Sequence, residues 1–378
     1  MFASLVLACS AADPADGSGG TETSSGGAGG RPIVGVAGGG GSLPEQPPAI
    51  APPGASEGEQ PGLDGDNVVL AADGLDAVFR VESAPGEHVH FWLSFADEPE
   101  LLELSVERWN GVGIDTLGTT DAGHGLRTLA LFDAGEPRTY WARVHTDAAA
   151  FDGTLTVTRT PFADASTCVE DCERLLQLPL PIDAAVDGYA TAPSTVFRYQ
   201  FGRRDLVMLL RYAGRSMADS GHAPFVPEDL SQWDGETPGT DVGAPRHASH
   251  KRGRDVDVSL YGTDGLAPWR SYCETVNDGS GRECVPGTMH DLDGVANATM
   301  YAGFLESGRV TMSFLDAELI GPVVDGAELA AADGAIAASL LPLYGDGVHL
   351  QHWPNHDNHI HVRLSEGPSF QPEAVEPP

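Results

Sequence analysis

The stretch GAPRHASHKRGRDVDVSLY, residues 243 to 261, decides how this chain is read. Its end, DVDVSLY, alternates polar and apolar residues, the period of a half-buried strand whose successive side chains face opposite ways. Asp255 and Asp257 therefore share one face, while Val256, Val258 and Leu260 turn to a core. A second stretch, HLQHWPNHDNHIHVRL at 349 to 364, holds five of the 13 histidines. In its NHIHVRL end, His359, His361 and Arg363 share a face, and Ile360, Val362 and Leu364 take the other. Two such strands laid side by side bring carboxylates and imidazoles together. His250 stands seven residues before Asp257, and the intervening KRG allows a turn that returns its imidazole over the strand. Imidazole nitrogens and a carboxylate oxygen form a common zinc donor set, and three protein ligands leave a fourth tetrahedral position open. The alternative for the same residues is a hydrogen-bonded core cluster or a pH-responsive one.

Composition narrows the rest. Of 378 residues, 21 are Lys or Arg and 55 are Asp or Glu, a formal charge of −34. Nucleic-acid binding needs a basic surface that displaces counterions, so that class is disfavoured. Attraction to an anionic lipid surface is disfavoured on the same ground. The apolar run from Phe2 to Ala8 stops at Cys9 and resembles the end of a bacterial lipoprotein signal, with Cys9 as the lipidated residue. Beyond it, no apolar run approaches the ~20 residues needed to span a bilayer, so a lipid anchor is the expected membrane tie. Such a protein is exported to the periplasm or cell envelope.

The other four cysteines form two close pairs, Cys168 with Cys172 and Cys273 with Cys284. Three pairings are open in principle. An exported chain favours disulfides, and local pairing is simplest. A four-cysteine zinc site is the alternative, but neither pair has the short C-x-x-C spacing.

Residues 10 to 65 are almost all Gly, Ser, Ala, Pro, Thr, Glu and Asp, too poor in apolar side chains to fold, and predict a linker behind a signal remnant at 1 to 9. From 66 to 162 the chain changes character. AVFRVES, HVHFWLSF, LLELSVERW, RTLALF, TYWARVHT and GTLTVTRT are short alternating runs with Gly, Asp and Pro between them, which predict an antiparallel β-sandwich. The pattern resembles prepeptidase C-terminal-type domains of secreted bacterial peptidases. His88 and His90 share a strand face there, a pair that more often packs or faces solvent than binds metal.

Residues 163 to 366 mix helix and strand, with a short tail at 367 to 378. RRDLVMLLRYAGRSM, NATMYAGFLESG and DGAELAAADGAIAASLL are helix candidates, and DVDVSLY, RVTMSFLD and NHIHVRLS read as strands. The expected class is α+β, an antiparallel sheet with helices packed on it.

HASHKRGRDVDV together with WPNHDNHIHVRL resembles the penicillin-insensitive murein endopeptidases, within the wider group of lysostaphin-type, D-alanyl-D-alanine and hedgehog-type zinc domains. The likeness covers roughly 180 to 366, and DLS at Asp229 to Ser231 fits it too. It implies one Zn2+ held by His250, Asp257 and His361. It makes His359 a general base or a stabiliser of the tetrahedral intermediate, and it places His247 and His356 beside it in the active site. Asp255 is then an orienting partner for an imidazole. The substrate it implies is the D-alanyl–meso-diaminopimelyl cross-link of peptidoglycan, with Arg254 and Arg363 as candidate contacts to a substrate carboxylate. Ser365-Glu366-Gly367 stands where the family often has a cysteine, and Lys251-Arg252 replaces an expected neutral pair. Two further functions remain for the same residues: a D-alanyl-D-alanine carboxypeptidase or dipeptidase with this zinc set, and a non-catalytic, lipid-anchored wall-binding protein. Trp353 is a candidate cleft residue or a packed one. Asn297-Ala298-Thr299 matches a glycosylation sequon by chance.

Overall fold

The computed structural model describes residues 67–366 apart from 73–74, 96–100, 111, 121–125, 134, 136–137, 149–150, 278 and 280. The lipoprotein-like signal with Cys9, the linker at 10–65 and the tail at 367–378 lie outside the described residues.

The first part holds eight strands: β1 Asn67–Ala72, β2 Leu75–Ser83, β3 Glu87–Phe95, β4 Glu103–Trp109, β5 Ile114–Thr119, β6 Leu126–Asp133, β7 Arg138–Thr146 and β8 Phe151–Pro161. They form two four-stranded sheets, β1-β8-β3-β6 and β2-β7-β4-β5, with antiparallel pairing throughout. Phe91, Leu93 and Val157 of one sheet and Val81, Leu104 and Val144 of the other share a core. The six alternating runs all fall on strands. The strands that the pattern missed, β1 and β5, are sheet edges. β5 has no fully buried residue to mark a face.

The outer face of β3 is buried too. His88 Nε2 donates to the Gln177 carbonyl at 2.7 Å, and His90 Nε2 donates to Thr128 Oγ1 at 2.6 Å. Trp92 packs on Phe201, so this face is a seam with the second part of the chain. The histidine pair therefore packs.

In the second part β9 Leu175–Gln177 pairs with β10 Phe201–Arg203, with a short helix α1 Ala184–Asp187 between them. Helix α2 Arg204–Asp219 follows, then β11 Pro227–Glu228, β12 Asp255–Ser259 and a hairpin of β13 Thr275–Asn277 and β14 Arg282–Cys284. Helix α3 Gly294–Leu305, strand β15 Val310–Leu315, helices α4 Ala317–Ala332 and α5 Leu341–Gly345, and strands β16 Gln351–His352 and β17 His359–Leu364 complete it. The main sheet runs β11-β12-β17-β15-β16, antiparallel except between β15 and β16. Helices and a largely antiparallel sheet make the class α+β.

Helix α2 carries Leu206, Val207, Leu210, Ala213 and Met217 into the core. Its one buried cation, Arg211, is neutralised by Asp164 at 2.6 Å and Asp187 at 2.9 Å. The third helix candidate, 325–341, is displaced. Helix α4 begins at Ala317, where Asp316 caps the Glu318 amide, and ends before Gly334, whose φ of +77° breaks it. Asn297, the sequon residue, is buried with its amide nitrogen on the Tyr261 carbonyl, so it is no glycan acceptor. Both local disulfides are present, Cys168–Cys172 and Cys273–Cys284. Among the described residues no helix is long and apolar enough to cross a membrane.

Val256, Val258, Ile360, Val362 and Leu364 lie in one core with α2 and α3. Each such burial contributes about 1.5–3 kcal/mol, which pins the opposite faces of β12 and β17 outward. Those faces carry the polar residues.

Candidate metal centre

The register of β12 against β17 sets Asp257 directly across from His361 and Asp255 across from Arg363. Directly opposed side chains in an antiparallel pair are in contact range. His250 arrives from the loop before β12. Arg252 and Gly253 take φ of +60° and +63°, two left-handed residues in a row that fold the loop back over the strand. A Cβ at residue 253 would meet Leu175 Cδ2 at 2.4 Å and the Arg203 amide at 2.6 Å, so glycine is required there.

His250 Nδ1 donates to the Leu230 carbonyl at 3.0 Å, which leaves Nε2 as a lone pair. His361 Nε2 donates to Asp255 Oδ1 at 2.9 Å, which leaves Nδ1 as a lone pair. Those two free nitrogens lie 3.1 Å apart. Asp257 Oδ1 is 2.9 Å from His361 Nδ1 and 3.3 Å from His250 Nε2. With the ring protons on His250 Nδ1 and His361 Nε2, three acceptor atoms converge on one point. Donors bound at zinc distances in a tetrahedron stand about 3.4 Å apart, close to this spacing, so the residues present fit such an ion. His247, His250 and Asp257 also form a group whose ligand atoms lie within 4.8 Å of one another and can hold a metal ion. His247 is the looser member, its Nδ1 3.9 Å from Asp257 Oδ2, so His361 is the better third donor.

The electrostatics of the cluster call for positive charge. Burial raises the Asp257 carboxyl, yet His250 and His359 beside it hold it well below the usual carboxylate range. Burial lowers His361, but the hydrogen bonds it donates to Asp255 and Asp257 outweigh this and hold it up to about 9. His250 is raised as well, burial again being overcome by Asp257. Two ionised, buried carboxylates thus draw cations to the imidazoles, and a divalent ion competes with protons for the same lone pairs.

Three more imidazoles ring this centre. His359 Nδ1 donates to Asn358 Oδ1 at 2.7 Å, and its Nε2 lies 3.6 Å from Asp257 Oδ1. Burial, with His356 and His361 nearby, holds His359 well below the ordinary imidazole value against the pull of Asp257. His356 Nδ1 donates to the Pro354 carbonyl at 2.7 Å, and burial and His361 depress its pKa to about 4. His247 Nε2 donates to Asp229 Oδ2 at 3.0 Å. Each ring has one nitrogen tied to an acceptor, and burial favours the neutral form of His356 and His359.

The cluster opens into a cleft of about 530 Å³ lined by His247, Asp257, His356, His359 and His361 among others. Trp353 is on the rim, 44% exposed and packed on Phe314 at 5.3 Å. Arg363 lines the cleft and holds Asp255 Oδ1 through Nε at 2.5 Å. Arg254 does not line it. That residue is in phase with Val256, not with Asp255, and its Nη1 pairs with Glu366 at 3.0 Å. The other cleft cation is Arg246, anchored on Asp229 at 3.1 Å. His349 and His352 turn instead to Asp346 and Glu283.

No protein-family model matches the chain, and no curated protein is similar to it. Solved structures similar to parts of it include PliG of Aeromonas hydrophila, a periplasmic inhibitor of g-type lysozyme. It is 14% identical with a TM-score of 0.20, over 26% of this chain and 89% of that one. Another is the pre-peptidase C-terminal domain of Bacillus anthracis collagenase, 10% identical with a TM-score of 0.22, over 29% of this chain and 99% of that one. Likenesses this weak carry no functional argument.

Other contributors come from segments distant in the sequence. The Leu230 carbonyl and Asp229, within the DLS string, orient His250 and His247 from 20 and 18 residues upstream. Trp269 stacks on His359 at 5.2 Å, and nothing in its local sequence distinguishes it from a core tryptophan.

Proposed function

We propose that this protein is a zinc-dependent peptidase of the murein endopeptidase type, cutting peptide cross-links in peptidoglycan. The observation that carries the reading is the convergence of His250 Nε2, Asp257 Oδ1 and His361 Nδ1 within 2.9 to 3.3 Å of one another at the cleft. A purely structural centre needs its ligands alone. Here His247, His356 and His359 add three imidazoles that line the same cleft, which is the equipment of proton transfer.

When bound, Zn2+ polarises the scissile carbonyl and makes water acidic enough to attack near neutral pH. His359 takes a proton from the attacking water at Nε2, since its Nδ1 already donates to Asn358. The Asp257 carboxylate, 3.6 Å from that nitrogen, stabilises the imidazolium that results. His359 then returns the proton to the amine nitrogen as the C–N bond breaks, giving a carboxylic acid and an amine, which settle as carboxylate and ammonium. Trp269 packs against His359 with ring centroids 5.2 Å apart and helps to fix the ring. Asp255 keeps His361 in the tautomer whose Nδ1 is free. Among the residues lining the cleft Asp257 is the one carboxylate, and Arg246 and Arg363 supply positive charge, an uncommon balance in a chain of −34. That balance suits an anionic peptide.

The test is digestion of purified cross-linked peptidoglycan with and without chelator and restored zinc, read by muropeptide mass spectrometry. Dimers falling to monomers only with zinc support the reading. Trimming of peptide ends alone points to the carboxypeptidase, and unchanged muropeptides from zinc-loaded protein refute both.

A further inference from the structure

The wall of the cleft at Trp353–Asn355, with His356 behind it, lies outside any strand, between β16 and β17. Something else must hold it. The β13–β14 hairpin does so at four points. The Arg282 amide donates to Asn355 Oδ1 at 2.7 Å, and the Asn355 amide donates back to the Arg282 carbonyl at 2.6 Å. Arg282 Nε donates to Asp357 Oδ1 at 2.7 Å. The Tyr272 amide, at the foot of the hairpin, donates to the Asp357 carbonyl at 3.1 Å. The two segments also touch without room to spare. A Cβ at Gly281 would come within 2.7 Å of Pro354 Cβ and 2.9 Å of Asn355 Nδ2, and Gly281 has φ of +144°.

The hairpin is itself fastened. Cys273 and Cys284 close it with a disulfide, and the Cys284 amide donates to Asp316 Oδ2 at 2.9 Å. The Asp316 amide in turn donates to the His356 carbonyl at 2.9 Å. Asp357 is fully buried, and its Oδ2 has no hydrogen-bond partner, so the charge rests on Arg282. A buried carboxylate with a single ionic partner is unstable once that partner goes. Asn355 meanwhile holds φ of +67°, a left-handed conformation that its neighbours must maintain.

We infer that Arg282 is a positioning residue: through Asn355 and Asp357 the disulfide-closed hairpin sets the place of His356 at the cleft. The inference rests on the peptidase reading for its catalytic consequence, but not for its structural one. Arg282 has no place among the residues lining the cleft, so it acts through the loop and not on substrate. Displacing a group by about 1 Å from its working position costs on the order of 10²-fold in rate. The zinc donors stand on β12, β17 and the His250 loop, so metal content is not in the hairpin's reach.

The experiment uses full-length protein carrying Arg282→Ala, Arg282→Lys or Asn355→Gly. Asn355→Gly removes the side-chain half of the latch, the Oδ1 acceptor, but tolerates the left-handed backbone. Two readouts are taken: hydrolysis of cross-linked muropeptide with zinc, and the nitrogen-15 imidazole resonances of His356 with amide exchange at residue 355. The expected result for Arg282→Ala is a fall in kcat of about 10²-fold, with KM and zinc content little changed. His356 resonances should shift and exchange at residue 355 should quicken. Arg282→Lys recovers much of both, because one bond to Asp357 Oδ1 is what the geometry asks for, and Asn355→Gly gives an intermediate loss. Unchanged His356 resonances and exchange in Arg282→Ala overturn the inference, as does a lysine variant no better than alanine. Wild-type protein that hydrolyses nothing overturns the peptidase reading alone, and the resonance and exchange data still decide the role of Arg282.

Discussion

Replacing His88 by Gln should flatten the acid limb of this protein's stability curve. His88 is buried at the seam between the sandwich and the second part, 1% exposed, with Nε2 on the Gln177 carbonyl. Burial is the main reason its pKa falls from 6.5 to about 4, opposed by the Gln177 bond and assisted by Arg211 and Arg174. In the unfolded chain the imidazole titrates at its ordinary value. Between those two values the unfolded state holds a proton that the folded state refuses, so stability falls as pH drops below 6.5. Above 6.5 both states are neutral and the residue contributes no pH dependence. Linkage over that interval gives a loss of about 2.5 kcal/mol at pH 4.5 relative to pH 7.5. Glutamine places an amide N–H where Nε2 stands and does not titrate. Urea unfolding of wild type and variant at pH 7.5 and 4.5, followed by tryptophan fluorescence, supplies four free energies. The variant should lose about 2.5 kcal/mol less than wild type across the interval. Equal losses would show that His88 takes up its proton within the fold, and the desolvation argument would fail.

Other expectations are narrower. Asp255→Asn removes the charge that His361 Nε2 donates to, and zinc affinity measured by chelator competition should fall about 10- to 100-fold, or about 1.4–2.7 kcal/mol; unchanged affinity would refute the orienting role. His359→Gln should keep its zinc, measured by atomic absorption, while turnover of muropeptide dimers drops about 10²- to 10⁴-fold. Full activity in that variant would remove His359 from proton transfer. Gly253→Ala meets both a left-handed φ and the Leu175 and Arg203 contacts, and should cost at least about 2 kcal/mol in chemical denaturation. His250→Ala and Asp257→Ala should lose bound zinc and hydrolysis together, and loss of hydrolysis with zinc retained would assign those residues differently.

Alternation in DVDVSLY and NHIHVRLS is a local property of strands, so it identified β12 and β17 and which residues share the polar face before any contact was known. The KRG turn was legible for a similar reason, since consecutive left-handed residues need glycine or a tolerant neighbour. The α+β class and both disulfides followed from runs and spacings of a few residues. What the chain could not announce is everything set by register and by distant partners. That Asp257 meets His361, and Asp255 meets Arg363, depends on how two strands about a hundred residues apart are aligned. Arg254 was misplaced because its charge drew attention and its phase did not. The run 325–341 overlaps only the second half of α4, because the cap that starts the helix is Asp316, outside the run. Leu230, Asp229, Trp269 and Arg282 act on the histidines from separate segments, through a carbonyl, a carboxylate, a stacked ring and a clamp. Residue types and their periodicity report what each segment can bury or bind. Which donors finally share one point is decided only when the sheet, the loop and the hairpin are packed together.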